Sequence, residues 1–103
     1  MYEEKKKFLS RYLLQEAKIN RLQRMILKNP KDKETYIKKI AECNNIRNEI
    51  EEKIKLVNDE VLVELLYQKY IFGQNLEETG YIINYSKRQT ERLHRKALEM
   101  FKI

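Results

Sequence analysis

One proline, Pro30, and two glycines, Gly73 and Gly80, are all that interrupt 103 residues. On either side of Pro30 the apolar residues recur every third or fourth position, which is the period of a helix and not of a strand. Phe8, Tyr12, Ile19, Leu22 and Ile26 follow the a/d pattern of a heptad, with Gln15 in one d site. This spacing predicts a helix over 3–28, on the order of 40 Å long at ~1.5 Å per residue. Asn29 is pushed out of the helical region by the ring of Pro30, and Pro30 cannot extend the hydrogen-bond ladder, so the helix ends there. Tyr36, Ile40, Cys43, Ile50, Ile54 and Val57 keep the same spacing over 33–57, with Arg47 interrupting the stripe and Ile46 beside it. A short connection between two helices makes them antiparallel neighbours. Two narrow stripes bury little on their own, so the pair is expected to pack on the rest of the chain or on a second copy.

Beyond residue 57 the helices become short and their ends are written in the sequence. Asn58, followed by Asp59 and Glu60, reads as the N-cap and acidic first turn of a helix reaching about Phe72. Val61, Leu62, Leu65, Leu66 and Tyr70 supply its apolar face, and Gly73 stands where a left-handed C-cap is needed. Asn75 with Glu78 has the capping-box spacing and opens a helix over 76–83. Asn84, the non-glycine residue best suited to positive φ, marks a sharp turn. Ser86 with Gln89 repeats the capping box and opens a last helix that runs to the end. The expected fold is all-α: a long antiparallel two-helix arm, coiled-coil-like, over 1–57, then a three-helix unit over 58–103.

Charge divides along the same lines. Residues 1–58 hold fifteen Lys and Arg against nine acids. Residues 59–85 hold one base and five acids, and residues 86–103 hold six bases and two acids. A basic terminal helix beside an acidic support is a directed charge that attracts phosphate and sets orientation. The single cysteine, Cys43, allows no intrachain disulfide, which fits a reducing, cytoplasmic setting. Its place on an apolar stripe makes it a small core residue. No stretch has the ~18 apolar residues of a membrane span, and the first ten residues lack the apolar core of a signal peptide. Neither a metal site nor any other cofactor is expected from one histidine, His94, on a different segment from Cys43, and no nucleophile has an orienting group, so an enzyme is not expected. His94 itself reads as a phosphate contact or a residue at the helix rim.

The last three helices, with "NYS" joining the final two, describe a helix-turn-helix. Gly80 supplies the small residue at the crossing, Ile83 a buried end to the first helix, Asn84 the turn, and Tyr85 an apolar plug. Thr90, Leu93, Ala97, Leu98 and Phe101 form the buried face of the last helix. Lys87, Arg88, Glu91, Arg92 and Arg95 remain outside, with Gln89 outward or at the rim and Ser86 and Lys96 flanking. A helix fits the major groove, where Arg bonds guanine, Gln suits adenine and Glu accepts from cytosine. Flanking Lys and Arg hold phosphates without reading sequence. Glu91 serves either base readout or a helical pair with Arg95. Double-stranded DNA is the expected partner. A second copy through the N-terminal helices would raise a single module's weak affinity.

The stretch "YIFGQNLEETGYIINYSKRQTERLHRKALEMF" resembles region 4 of sigma-70-type factors, the part that reads an upstream promoter element. The shared frame is an aromatic-x-x-Gly, Glu-Glu opening the first helix, Tyr-Ser at the turn and a closing Arg-x-His-x-x-Ala-Leu. It is similar also to small phage and prophage late transcription regulators of the RinA and ArpU type, which carry a helical arm before such an end. Thr79 and Thr90 stand where the family usually has Ile or Val, Gly80 replaces Ala, and Asn84 replaces Gly. The resemblance implies DNA reading by Lys87, Arg88, Gln89, Glu91 and Arg92, regulation of transcription, and RNA polymerase as a further candidate partner. It implies alternatively a sigma-like module that binds polymerase or another host protein without reading DNA.

Overall fold

The computed structural model describes residues 2–103, and every regular element among them is helical. Helix α1 spans Glu3–Lys28, and a 3-10 turn over Pro30–Asp32 leads into α2, Lys33–Lys55. The short helices follow: α3 Glu60–Leu66, α4 Leu76–Ile83 and α5 Lys87–Met100. The described chain is elongated, 51 × 25 × 22 Å.

Helices α1 and α2 run in opposite directions along each other. Late residues of α1, Ile19 and Leu22, bury against Cys43 with Tyr36 and Ile40 at the edges. Early residues of α1, Phe8, Leu9 and Tyr12, bury with Ile50 and Ile54 from the end of α2. Between these two apolar clusters lies a polar layer. Gln15 is buried there, and Arg47 donates a long hydrogen bond to the Tyr12 hydroxyl (3.4 Å) while its guanidinium covers the Tyr12 ring at 5.1 Å.

The cluster at the α1 N-terminal end is the main core, and it takes residues from both sides of position 58. Phe8, Leu9, Tyr12, Ile50, Ile54 and Val57 share it with Leu62, Leu65, Leu66, Tyr70, Ile71, Ala97, Leu98 and Phe101. The rings of Phe8 and Phe101 lie 5.9 Å apart at a tilt of 46°. Polar contacts fasten the same seam. Lys5 donates from Nζ to the carbonyl oxygens of Leu98 (2.7 Å) and Glu99 (3.3 Å), placing a cation on the unpaired carbonyls that end α5. The Tyr2 hydroxyl donates to Glu99 Oε1 at 2.7 Å.

Several boundaries depart from the sequence expectation. Helix α2 stops at Lys55, two residues early, where tighter turns from Leu56 to Lys53 and from Val57 to Ile54 bring Val57 into the core. The N-cap of α3 is Asp59 and not Asn58. Asp59 has the extended backbone of a cap, and its carboxylate accepts from the Leu62 amide at 3.1 Å. Helix α3 does not run on regularly to Phe72. It widens into a π turn over Tyr67–Ile71, with the Phe72 amide reaching back five residues to the Tyr67 carbonyl. The wider turn puts both Tyr70 and Ile71 against the core and leaves Phe72 in solvent. Gly73 closes it with a φ of 75°. Helix α5 ends at Met100 because Phe101 adopts extended backbone as its ring enters the core.

Candidate nucleic-acid interface

The α4–α5 pair is held by backbone chemistry at each joint. Asn75 Oδ1 accepts from the Glu78 amide (2.8 Å) and Glu78 Oε1 accepts from the Asn75 amide (2.9 Å), a complete capping box. Asn84 takes left-handed backbone, φ 67° and ψ 44°, and the Tyr85 amide donates back to the Gly80 carbonyl at 2.8 Å. That 6→1 bond is the Schellman closure of a helix end. Ser86 Oγ then accepts from the Gln89 amide (3.2 Å) and Gln89 Oε1 from the Ser86 amide (3.0 Å), a second capping box two residues after the turn.

The helices cross at Gly80 and Thr90. A Cβ on Gly80 would stand 2.9 Å from the Tyr85 carbonyl oxygen and collide with Thr90 Oγ1. The Thr90 hydroxyl donates to the Ser86 carbonyl at 2.7 Å, so it is fixed in place. This explains glycine in a helix interior, where it costs roughly 1 kcal/mol against alanine. Thr79, beside it, is fully buried, and its hydroxyl has no partner among the described residues.

Helix α5 is sharply two-sided. Thr90, His94, Ala97 and Leu98 are buried and Leu93 is half-buried. His94 therefore lies in the interior, neither on phosphate nor at the rim. Its Nε2 and the Tyr70 hydroxyl share a hydrogen bond of 2.7 Å, with the two rings 5.8 Å apart. Burial, with Lys69 and Lys6 nearby, lowers the His94 pKa to about 4, and burial raises that of Tyr70 to about 12. Both are neutral at pH 7, which lets them face each other in an apolar setting.

The opposite face of α5 carries the expected site residues. Ser86, Lys87, Arg88, Gln89, Glu91, Arg92, Arg95 and Lys96 are all exposed. Arg88, Arg92 and Arg95, at spacings of four and three, share one line down the helix. Lys87 and Glu91 fall on one edge of it, Gln89 and Lys96 on the other. Among the described residues none of these charges has an ion-pair partner within 4.0 Å, and that includes Glu91 with Arg95. Gln89 is less free than its exposure implies. Its carbonyl oxygen is taken by the cap, leaving the amide nitrogen as a donor but not the bidentate pair that adenine needs. Arg95 also sits near Tyr2, whose pKa is raised chiefly by its hydrogen bond to Glu99.

Two features at the turn differ from the sequence reading. Tyr85 does not plug the turn: it is 39% exposed, because the left-handed Asn84 swings it outward, and only half-buried Ile83 faces the core. Tyr85 with Gly80, Tyr81, Ile82, Asn84 and Ser86 lines an open groove at the amino end of α5, and Tyr81 is 89% exposed. A second groove, of about 450 Å³, lies between α3 and the end of α4, with Val61, Val63, Tyr67, Ile82 and Ile83 as its apolar lining and Glu60 and Glu64 on its rim. The second groove has no signature in local spacing, because it depends on how α4 is seated on α3, whereas the first is lined entirely by residues 80–86. Among the described residues no group of three or more His, Cys, Asp or Glu side chains could hold a metal ion, and no helix is long and apolar enough to cross a membrane. Comparison with protein-family models, curated proteins and solved structures finds no match.

Proposed function

We propose that this chain is a small sequence-specific DNA-binding regulator of transcription, of the kind phages and mobile elements carry. In this reading α4 and α5 form a helix-turn-helix and α5 lies in the major groove. The observation that carries it is the line of Arg88, Arg92 and Arg95. Three exposed guanidinium groups, without ion partners among the described residues, stand on the outer face of a helix whose inner face and amino end are both locked. A rigidly held helix loses little freedom on binding, which is what base readout requires. The resemblance of residues 58–103 to sigma region 4 supports the same reading.

Within this reading the roles divide by position. Arg88 and Arg92 reach base edges, since the amino-terminal turns of such a helix enter the groove first. Lys87, Arg95 and Lys96 hold phosphates, as does the Ser86 hydroxyl, which can still donate. Glu91, free of Arg95, is available to accept from cytosine. Selection of binding sites from a random duplex pool, at two salt concentrations, tests the proposal. An enriched motif that disappears in a Lys87→Ala/Arg88→Ala/Arg92→Ala variant is the expected result. Arg88→Ala or Arg92→Ala alone should then cost ~1–3 kcal/mol at the selected site and relax one position of it. No enrichment in the wild-type protein would overturn the proposal.

The groove between α3 and α4 favours the alternative reading. Its apolar floor and acidic rim suit a protein segment better than DNA. A sigma-like module that binds RNA polymerase or another protein would use this groove and leave α5 unread. Co-purification with a protein partner, lost on Ile82→Asp, together with no enriched duplex, is the outcome that would select it.

A further inference from the structure

We infer that the outward face of α1 is a second duplex-binding surface, turned away from α5. Charge segregation is the first observation. Residues 5–28 hold eight Lys and Arg and a single acid, Glu16. A helix that is merely solvated intersperses acids at i,i+4. Here α2 has nearly balanced charge, with six bases and five acids over 33–55, so the excess belongs to α1.

Direction is the second observation. Tyr2 and Lys5 bond the end of α5, Leu9 enters the core, and Leu13 lies against Gly73. These four mark the side of α1 that faces the C-terminal helices. Lys7 sits two residues from both Lys5 and Leu9, and Arg11 two residues from both Leu9 and Leu13. Two residues turn a helix by roughly 200°, so Lys7 and Arg11 point away from the C-terminal helices. Lys18 and Arg21 continue their line at spacings of seven and three, and all four are exposed. Helix α2 adds Lys53 to the same side: Arg11 and Lys53 both lie over the ring of Phe8, at 5.8 and 5.9 Å. None of the five has an ion-pair partner within 4.0 Å among the described residues. Glu3 and Glu4 border the face only at its start.

From Lys7 to Arg21 this face is about 21 Å long. It is straight, rigid and cationic, which matches the phosphates of a duplex rather than a point ligand. A membrane surface is the other extended anion. A helix that lies in lipid needs a continuous apolar stripe among its bases, and between Lys7 and Arg21 this face offers one exposed leucine, Leu14. If α5 also holds DNA, as proposed above, one molecule bridges two duplexes. The bridging rests on that reading; binding by α1 does not.

The experiment compares the full chain with two variants, Lys7→Gln/Arg11→Gln/Lys18→Gln/Arg21→Gln and Arg88→Ala/Arg92→Ala/Arg95→Ala. Fluorescence anisotropy measures each against a mixed-sequence duplex across a salt series. A sandwich assay then asks whether a tethered duplex captures a second, labelled one. All substituted positions are exposed, and far-ultraviolet circular dichroism checks that the helices remain. The α5 variant should keep salt-sensitive duplex binding. The α1 variant should lose about tenfold or more in non-specific affinity, lower the salt slope by about 3–4, and abolish the sandwich. Wild-type-like affinity and slope in the α1 variant would overturn the inference. So would capture by phosphatidylserine vesicles that duplex DNA fails to compete away. Loss of the sandwich in the α5 variant, with its α1 binding intact, supports the inference. An α5 variant that still bridges duplexes would count against the reading of α5 and leave binding by α1 supported.

Discussion

The long helices and the short ones are stabilised by different means. Helices α1 and α2, 26 and 23 residues long, begin without any side-chain cap. Helices α3, α4 and α5, of 7, 8 and 14 residues, each begin on a side chain that accepts the N3 amide: Asp59, Asn75 and Ser86. Length explains the difference. Nucleating a helix costs the same whatever follows, so a long helix spreads that cost over many turns and a short one cannot. The long pair also repeats its packing every turn, whereas the short helices meet at single points such as Gly80 on Thr90. The arm tolerates local change, and the C-terminal helices depend on particular atoms.

The largest effect that tests this contrast lies in the core. Phe101 is fully buried, beside Phe8, at the seam where the arm and the last helix meet in one cluster. Phe101→Ala should cost ~3–5 kcal/mol. Leu22→Ala, in the narrow cluster with Ile19 and Cys43, should fall at or below the ~2 kcal/mol end of the range for such truncations, because that site is ringed by solvent. Urea unfolding of both variants measures the difference. Equal losses would show that the distal arm is as tightly coupled as the seam.

Acid probes the same seam. Burial lowers the His94 pKa from 6.5 to about 4, so the unfolded chain binds the proton more readily than the folded one. Stability contributed by the neutral imidazole is present above pH 6.5 and is lost as pH falls toward 4. The loss should be on the order of 2–3 kcal/mol, taking 1.4 kcal/mol per pH unit and discounting for partial access to solvent. Subtracting the pH profile of a His94→Leu variant removes the carboxylate contributions common to both. A wild-type profile parallel to that of the variant between pH 6.5 and 4 would show that His94 is solvated.

What was legible in the sequence follows the range of the forces involved. Pro30, Gly73, Asn84 and the pairs Asn75–Glu78 and Ser86–Gln89 act through backbone within six residues, and each sits where its chemistry calls for it. The outward line of α5 follows from the same periodicity. His94 is obscured by residue type: among arginines it reads as basic, although its distance of four from Thr90 and three from Ala97 places it on the buried face. The outward swing of Tyr85 follows from the left-handed Asn84 before it, whereas the half-burial of Ile83 comes from how α4 seats on the core, a contact between residues distant in sequence. The closure of the core across position 58 is of the same kind, since no local pattern says which face of α1 the last helix will meet.

Gly80→Ala comes next in size. Helix propensity alone would make it stabilising by about 1 kcal/mol. The new Cβ, however, meets the Tyr85 carbonyl and the Thr90 hydroxyl, neither of which is the loose end of a flexible side chain. Overpacking of this kind costs ~1–3 kcal/mol, so the net change should be a loss of up to about 2 kcal/mol. Thr90→Ser keeps the hydroxyl and its bond to Ser86, and thus should not rescue it; Thr90→Ala removes the closest obstacle and should recover part of the loss. A stabilised Gly80→Ala protein would mean that the α4–α5 crossing is looser than its hydrogen bonds imply.

The smallest effect is the most direct test of the contrast between long and short helices. Ser86→Ala removes one half of a capping box and should cost about 1 kcal/mol, and Asn75→Ala should cost a similar amount. Asp32→Ala, at the equivalent position of α2, removes no cap hydrogen bond and should leave the melting temperature nearly unchanged. The Ser86 variant carries a second consequence. The backbone amide of residue 86 still donates to Gln89 Oε1, so the carboxamide stays tied to the cap and offers only its nitrogen as a donor. If α5 reads DNA, Ser86→Ala should therefore keep its preference at the base Gln89 faces, even as the fold weakens. Lower stability with an altered site preference would join the cap and the readout in one residue pair. Lower stability with an unchanged preference would confine Gln89 to its structural role and leave the reading of bases to the arginines.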